Sequence, residues 1–147
     1  MDRMEMRRVG PDTPMGRLMR EYWIPAATSA ELVAGGAPVR LMVLGERLIG
    51  FRDREGRVGV MDHRCSHRGT SLFFGRNEGD GLRCVYHGWK FDTTGRCLEQ
   101  PNVVARDQAP DKAPAKAYRA VDRSGLIWVY MGAREVPPPF PAFGPMR

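Results

Sequence analysis

Two short stretches of this chain set a thiol close to an imidazole. Cys65-Ser-His67 spaces them two residues apart, and Cys84-Val-Tyr-His87 spaces a second pair three apart, with sixteen residues between the two stretches. A thiolate is a soft ligand and an imidazole a borderline one, so the four could hold either a zinc ion or an iron–sulfur cluster. Zinc fingers usually take a Cys pair from one arm and a His pair from the other. Mixed arms suit a two-iron cluster in which each iron receives ligands of one kind. With both thiolates on one iron and both imidazoles on the other, this spacing suits a [2Fe–2S] centre of mixed ligation. The third cysteine, Cys97, has no histidine nearby and reads as a buried structural thiol. His63 precedes the first stretch and reads as a surface or supporting residue.

Short strands and turns must position these residues. Leu82 to Tyr86, Trp89 to Asp92 and Arg96 to Leu98 have β character, interrupted by Gly88 and by Thr93-Thr94-Gly95. Gly69 and Gly88 each sit beside a candidate ligand, where a tight turn could aim backbone N–H groups at sulfide. Trp89 and Phe91 read as packing under the loops. Upstream, Val39 to Leu44, a turn at Gly45-Glu46, Arg47 to Phe51 and Arg57 to Met61 predict an antiparallel meander. Downstream, Ala115 to Val121 and Leu126 to Met131 are joined by Asp122-Arg-Ser-Gly125. Asp12 or Thr13 can cap a two-turn helix with Pro14 in its first turn and Met15, Leu18, Met19 and Tyr22 as its apolar positions. Gln100 to Pro114 reads as an ordered surface loop. The expected fold is all-β with one short N-terminal helix. It divides into an extension over 1–36, a metal-binding domain over 37–133 and a proline-rich linker over 134–147 leading to a domain not in this chain.

Composition narrows the functional classes. The 147 residues, 42% hydrophobic and 27% charged, suit one core-forming domain that needs no disulfide framework. Three cysteines are too few for such a framework and point to metal chemistry in a reducing compartment, with the cytoplasm as the expected location. The longest near-apolar run, Leu126 to Met131, cannot span a bilayer, and the charged N-terminus is not followed by the apolar stretch of a secretory signal. The formal charge of +6 arises from scattered Lys and Arg rather than a basic run, so neither nucleic acid nor a membrane is an expected partner.

Residues around the ligands carry a family resemblance. Cys65-Ser-His-Arg-Gly-Thr-Ser-Leu and Cys84-Val-Tyr-His-Gly-Trp-Lys-Phe-Asp resemble the two cluster loops of Rieske non-haem iron oxygenases, the aromatic-ring-hydroxylating class. The likeness extends to Gly10-Pro-Asp-Thr-Pro, Leu18-Met-Arg-Glu-Tyr-Trp, Ser71-Leu-Phe-Phe-Gly-Arg-Asn-Glu and Gly81-Leu-Arg, and makes the whole chain similar to the N-terminal part of phthalate dioxygenase-like large subunits. The resemblance implies the Rieske fold, with stacked antiparallel sheets and two cluster-binding loops meeting at one tip. It also implies a [2Fe–2S] cluster on Cys65, His67, Cys84 and His87, with Arg68, Gly69, Gly88 and Trp89 around it. In that family a flavin or ferredoxin-type reductase donates electrons and a mononuclear iron in a catalytic domain accepts them, in the neighbouring subunit of a trimer, through an acidic residue bridging to an imidazole such as that of His87. The chain has three histidines and the cluster uses two, so the site of two His and one carboxylate cannot be built from it, and the chain alone is not expected to hydroxylate substrate. The alternative is a free-standing Rieske ferredoxin-type carrier. High-potential relatives add a disulfide and a Ser hydroxyl where this chain has Thr70, Tyr86 and Trp89, which implies a potential at the lower end of the Rieske range.

Overall fold

The structure is a computed structural model that describes residues 3–142. Residues 1 and 2 of the charged N-terminus and 143–147 of the proline-rich segment lie outside the described residues.

Helix α1, Pro14–Met19, starts as the sequence predicts. Thr13 is its N-cap, with its hydroxyl oxygen accepting from the Gly16 N–H at 3.1 Å, and Pro14 occupies the first turn. The expected apolar face forms only in part, because Met19 packs against the core and Met15 is half-buried but Leu18 and Tyr22 are exposed. A six-residue helix presents only a narrow apolar stripe, and its main anchor is polar. Arg20, 7% exposed, donates to the carbonyls of Val9, Gly16 and Leu44 and to the Glu46 carboxylate at 2.8 Å. The helix also sits too close to the preceding loop for any side chain at Gly16, where a Cβ would lie 1.9 Å from the Gly10 carbonyl oxygen.

Among the described residues ten strands form two antiparallel sheets. The larger contains β1 (Trp23–Thr28), β2 (Val39–Val43), β3 (Glu46–Arg52), β4 (Val58–Asp62), β9 (Ala117–Arg123) and β10 (Leu126–Tyr130), in the order β1-β10-β9-β4-β3-β2. The smaller contains β5 (Arg76–Asn77), β6 (Leu82–Arg83), β7 (Lys90–Phe91) and β8 (Cys97–Glu99), in sequence order. The expected meander is β2-β3-β4, but its first turn lies one residue earlier than predicted. Leu44 and Gly45 are the central residues, with φ of 48° and 79°, and Val43 pairs with Glu46. Two positive φ values give the twist that a two-residue hairpin needs, and Ser124-Gly125 repeats the arrangement between β9 and β10.

Strand β1 lies within residues 1–36 yet pairs along its length with β10, with a register irregularity between Pro25 and Ala27. The sequence reading does not anticipate this strand, and an edge is where a sheet tolerates proline. The described part of the proline-rich segment returns to the same edge. Trp23 Nε1 donates to the Pro138 carbonyl at 2.8 Å, and the Phe140 ring packs against Trp23 and Trp128.

Strands β3 and β4 are covered on both faces. Leu48 and Val60 join one core with Leu41, Val43, Ile127 and Val129, whereas Ile49, Phe51 and Met61 join a second core with Leu82, Phe91 and Cys97 of the small sheet. Alternation along each strand sends neighbouring residues to opposite cores. Cys65, Cys84 and Trp89 belong to the second core, so the candidate ligands are rooted in the packing between the sheets.

Candidate metal centre

Cys65 and Cys84 each open a hairpin loop of the same construction. The Cys65 N–H donates to the Thr70 carbonyl at 2.9 Å, and the Gly69 N–H donates back to the Cys65 carbonyl at 2.9 Å. The second loop repeats this with Cys84 to Trp89 at 2.8 Å and Gly88 to Cys84 at 3.2 Å. The glycines have φ of +76° and +77°, which side-chain-bearing residues rarely adopt. Backbone pairing closes each base, Arg64 with Ser71 and Arg83 with Lys90. This is why the strand expected over Leu82 to Tyr86 stops at Arg83, because from Cys84 onward the backbone bonds within the loop.

The loops place the histidine differently, at the second residue after Cys65 but the third after Cys84. That offset brings the imidazoles together edge to face, with ring centroids 4.7 Å apart at 74°. His67 Nδ1 and His87 Nδ1 are 3.1 Å apart, close enough for one metal ion with bonds of about 2.0–2.1 Å to reach both. The two cysteines lie beneath them, each buried and neither in a disulfide. Burial, and then the adjacent Cys84 thiol, push the Cys65 thiol up to about 11. A thiol so disfavoured as an anion is a poor nucleophile and needs a cation to stabilise it. Desolvation and then the facing His87 lower the pKa of His67, which favours the neutral imidazole that a metal binds. Among the described residues no group of three or more His, Cys, Asp or Glu side chains is placed to hold a single metal ion. The four donors are arranged as a thiol pair and an imidazole pair, which fits a two-iron cluster better than one tetrahedral zinc.

The surrounding residues differ in part from expectation. The Gly69 and Gly88 N–H groups close the loops instead of pointing at sulfide; the donors to the Cys65 sulfur are the N–H groups of His67 and Arg68. The Arg68 side chain is exposed. Trp89 does more than fill the core, since its ring stacks on His67 at 4.4 Å and 14° and its Nε1 donates to Asn102 Oδ1 at 2.6 Å. Cys97 is buried at the start of β8, as expected of a structural thiol. His63 is half-buried and lines a separate groove with Arg40, Met42 and Phe73.

One supporting residue was missed. Arg83 donates to the Gly88 carbonyl at 2.6 Å, to Glu78 Oε1 at 2.9 Å and to Glu99 Oε2 at 2.6 Å, pinning the second loop to the small sheet. Its sequence signals are its place just before Cys84 and its membership of the Gly81-Leu-Arg stretch that shares the family resemblance, neither of which gives it a role. Arg83 and Arg76 hold the Glu78 carboxyl down to about 2, and Lys90 links Asp80, Glu78 and Glu99 from the next strand.

Comparison with known proteins gives this geometry a context. The family model of the Rieske [2Fe-2S] domain matches residues 22–119. The chain is 55% identical over 140 residues to the oxygenase subunit of 3-chlorobenzoate-3,4-dioxygenase from Comamonas testosteroni, covering 95% of this chain and 32% of that protein. It is 45% identical over 141 residues to the oxygenase subunit of phthalate 4,5-dioxygenase from Pseudomonas putida, covering 94% and 32%. Among solved structures, dicamba monooxygenase bound to dicamba superposes with a TM-score of 0.76 at 30% identity, over 85% of this chain and 37% of that one. The chain thus spans about a third of the length of the curated relatives it matches.

Proposed function

Because the chain belongs to the Rieske [2Fe-2S] domain family, we propose that Cys65 and Cys84 hold one iron of the cluster and His67 and His87 the other, and that the domain relays single electrons within an aromatic-ring-hydroxylating oxygenase. The donor is a flavin or ferredoxin-type reductase and the acceptor a mononuclear non-haem iron in a catalytic domain. The observation that carries this reading is the meeting of the two imidazole Nδ1 atoms at 3.1 Å, from separate loops, above two buried thiols. The names of the two dioxygenase relatives suggest an aromatic carboxylate as substrate of the whole protein.

When bound, the cluster supplies a one-electron couple at roughly −150 to +300 mV, against about −400 mV for plant-type ferredoxins. Its surroundings are set by the chain. Cys65 and Cys84 keep water from the thiolate side, and the N–H groups of His67 and Arg68 stabilise negative charge on the Cys65 sulfur. His67 and His87 are half-buried, so the imidazoles are the part of the site nearest solvent and the route for electrons in and out. With Nδ1 turned inward, Nε2 lies on the far side of each ring, where it can hold a proton and donate to a carboxylate on a partner. Thr70 and Tyr86 stand where a bridging disulfide would need cysteines, and Trp89 stands where a serine hydroxyl would be, which supports a potential low in the range.

Ultraviolet–visible and low-temperature EPR spectra before and after dithionite test the reading. A red-brown protein that becomes EPR-active on one-electron reduction, with the signal of a His-ligated cluster, is expected. The reduced chain alone should yield no hydroxylated aromatic product. A colourless protein with stoichiometric zinc after iron-replete anaerobic preparation would refute the electron-transfer role.

A further inference from the structure

The segment 100–114 touches both cluster loops, at residues next to the ligands. Ser66, between Cys65 and His67, donates its hydroxyl to the Ala113 carbonyl at 2.9 Å. Pro101 lies against Gly88, where a Cβ would meet the proline Cγ at 2.9 Å. Asn102 Oδ1 accepts from Trp89 Nε1 at 2.6 Å. The indole is a donor only, so Asn102 must present its oxygen. Trp89 belongs to the second loop but stacks on His67 of the first, nearly parallel at 14°. The hydrogen bond therefore fixes the tilt of a ring that fixes the plane of a candidate ligand.

The segment is itself fastened at its start. Gln100, 5% exposed, accepts from the Ala109 N–H at its side-chain oxygen, while its main-chain carbonyl accepts from Val103 N–H and Gln108 Nε2. A folded strap, held at Gln100 and bonded to Ser66 near its far end, thus presents Asn102 at a set position.

We infer that Asn102 is a positioning residue which, through Trp89, sets the orientation of the His67 imidazole, with residues 100–114 acting as the strap that holds it there. This rests on the assignment of His67 as a cluster ligand. Imidazole orientation governs overlap with the iron it binds, so the electronic properties of the centre respond to a residue that does not touch it.

The test is a double-mutant cycle in the iron-loaded full chain, using N102A, W89F and both together, with N102D as the conservative control. Midpoint potential, EPR g-values and the half-life of the visible chromophore are measured for each. N102A should shift the potential and g-values and shorten the half-life about fivefold, the factor that one net hydrogen bond commands. Adding N102A to W89F, which keeps the stack but lacks the N–H, should change nothing further. N102D, which keeps the acceptor oxygen, should restore the half-life and g-values. Additive losses in the double variant, or wild-type g-values and potential in N102A, would overturn the inference even if stability fell. A wild-type chain without the His-ligated EPR signal would instead refute the ligand assignment. The strap would then be decided in the metal-free chain by the His67 ring proton resonances, which N102A must move and which, if unmoved, overturn it.

Discussion

Replacing Arg83 by alanine should loosen the second cluster loop more than any change at an exposed arginine. The guanidinium is about one-fifth exposed and serves three acceptors at once, the Gly88 carbonyl and the Glu78 and Glu99 carboxylates. The bond to Gly88 is charge-assisted and part-buried and contributes about 1.5 kcal/mol, the low end for a charged donor. The two carboxylate contacts are screened by solvent and add about 0.5 kcal/mol each. Glu78 retains Arg76 in the variant and Glu99 retains Lys90, so neither carboxylate is left alone. The expected loss is about 2–3 kcal/mol, or roughly 5–10 °C in Tm for a chain of this size. Arg83→Lys should recover less than half, because one ammonium cannot reproduce the planar fork that reaches three acceptors. Circular dichroism follows unfolding and visible absorbance follows the cluster, and loss of colour should begin at lower temperature than loss of strand signal. An Arg83→Ala chain that melts within about 1 °C of wild type, with its colour equally persistent, would refute the assigned role.

The remaining expectations concern the ligands, acid stability and the helix. Cys65→Ser and Cys84→Ser should each abolish the red-brown chromophore, whereas Cys97→Ser should keep it, since Cys97 does not line the space between the two loops; iron content per chain checks all three. Glu78 has a folded-state pKa of about 2 against an ordinary 4.5, so its contribution is complete above about 4.5 and is lost as pH falls toward 2. Because the carboxylate is solvent-screened, that contribution is on the order of 1 kcal/mol, and urea midpoints of Glu78→Gln should show a correspondingly shallower fall between those pH values. Gly16→Ala should cost about 1–3 kcal/mol, because its methyl group would collide with the backbone of Gly10, in contrast to the usual gain from Gly→Ala in a helix; chemical denaturation measures it.

Much of this protein was legible because its signals are local. Two Cys–His pairs name the candidate ligands, Thr13-Pro14 names a helix start, and alternating runs name the central meander, since caps, hairpins and short loops are decided by residues within a few positions of one another. Tertiary structure decided the rest. Strand β1 exists because β10 pairs with it, and Trp23 meets Pro138 across 115 residues of chain. The two- and three-residue strands of the small sheet are too short to show periodicity and are held by packing against Ile49, Phe51 and Met61. Arg20 and Arg83 look like any surface arginine until a fold brings backbone carbonyls to them. The His offset between the loops gains its meaning only when both loops rise from one core and set the two imidazoles 3.1 Å apart. A sequence specifies donor atoms and local turns directly, but the distance between two loops is the outcome of every contact beneath them.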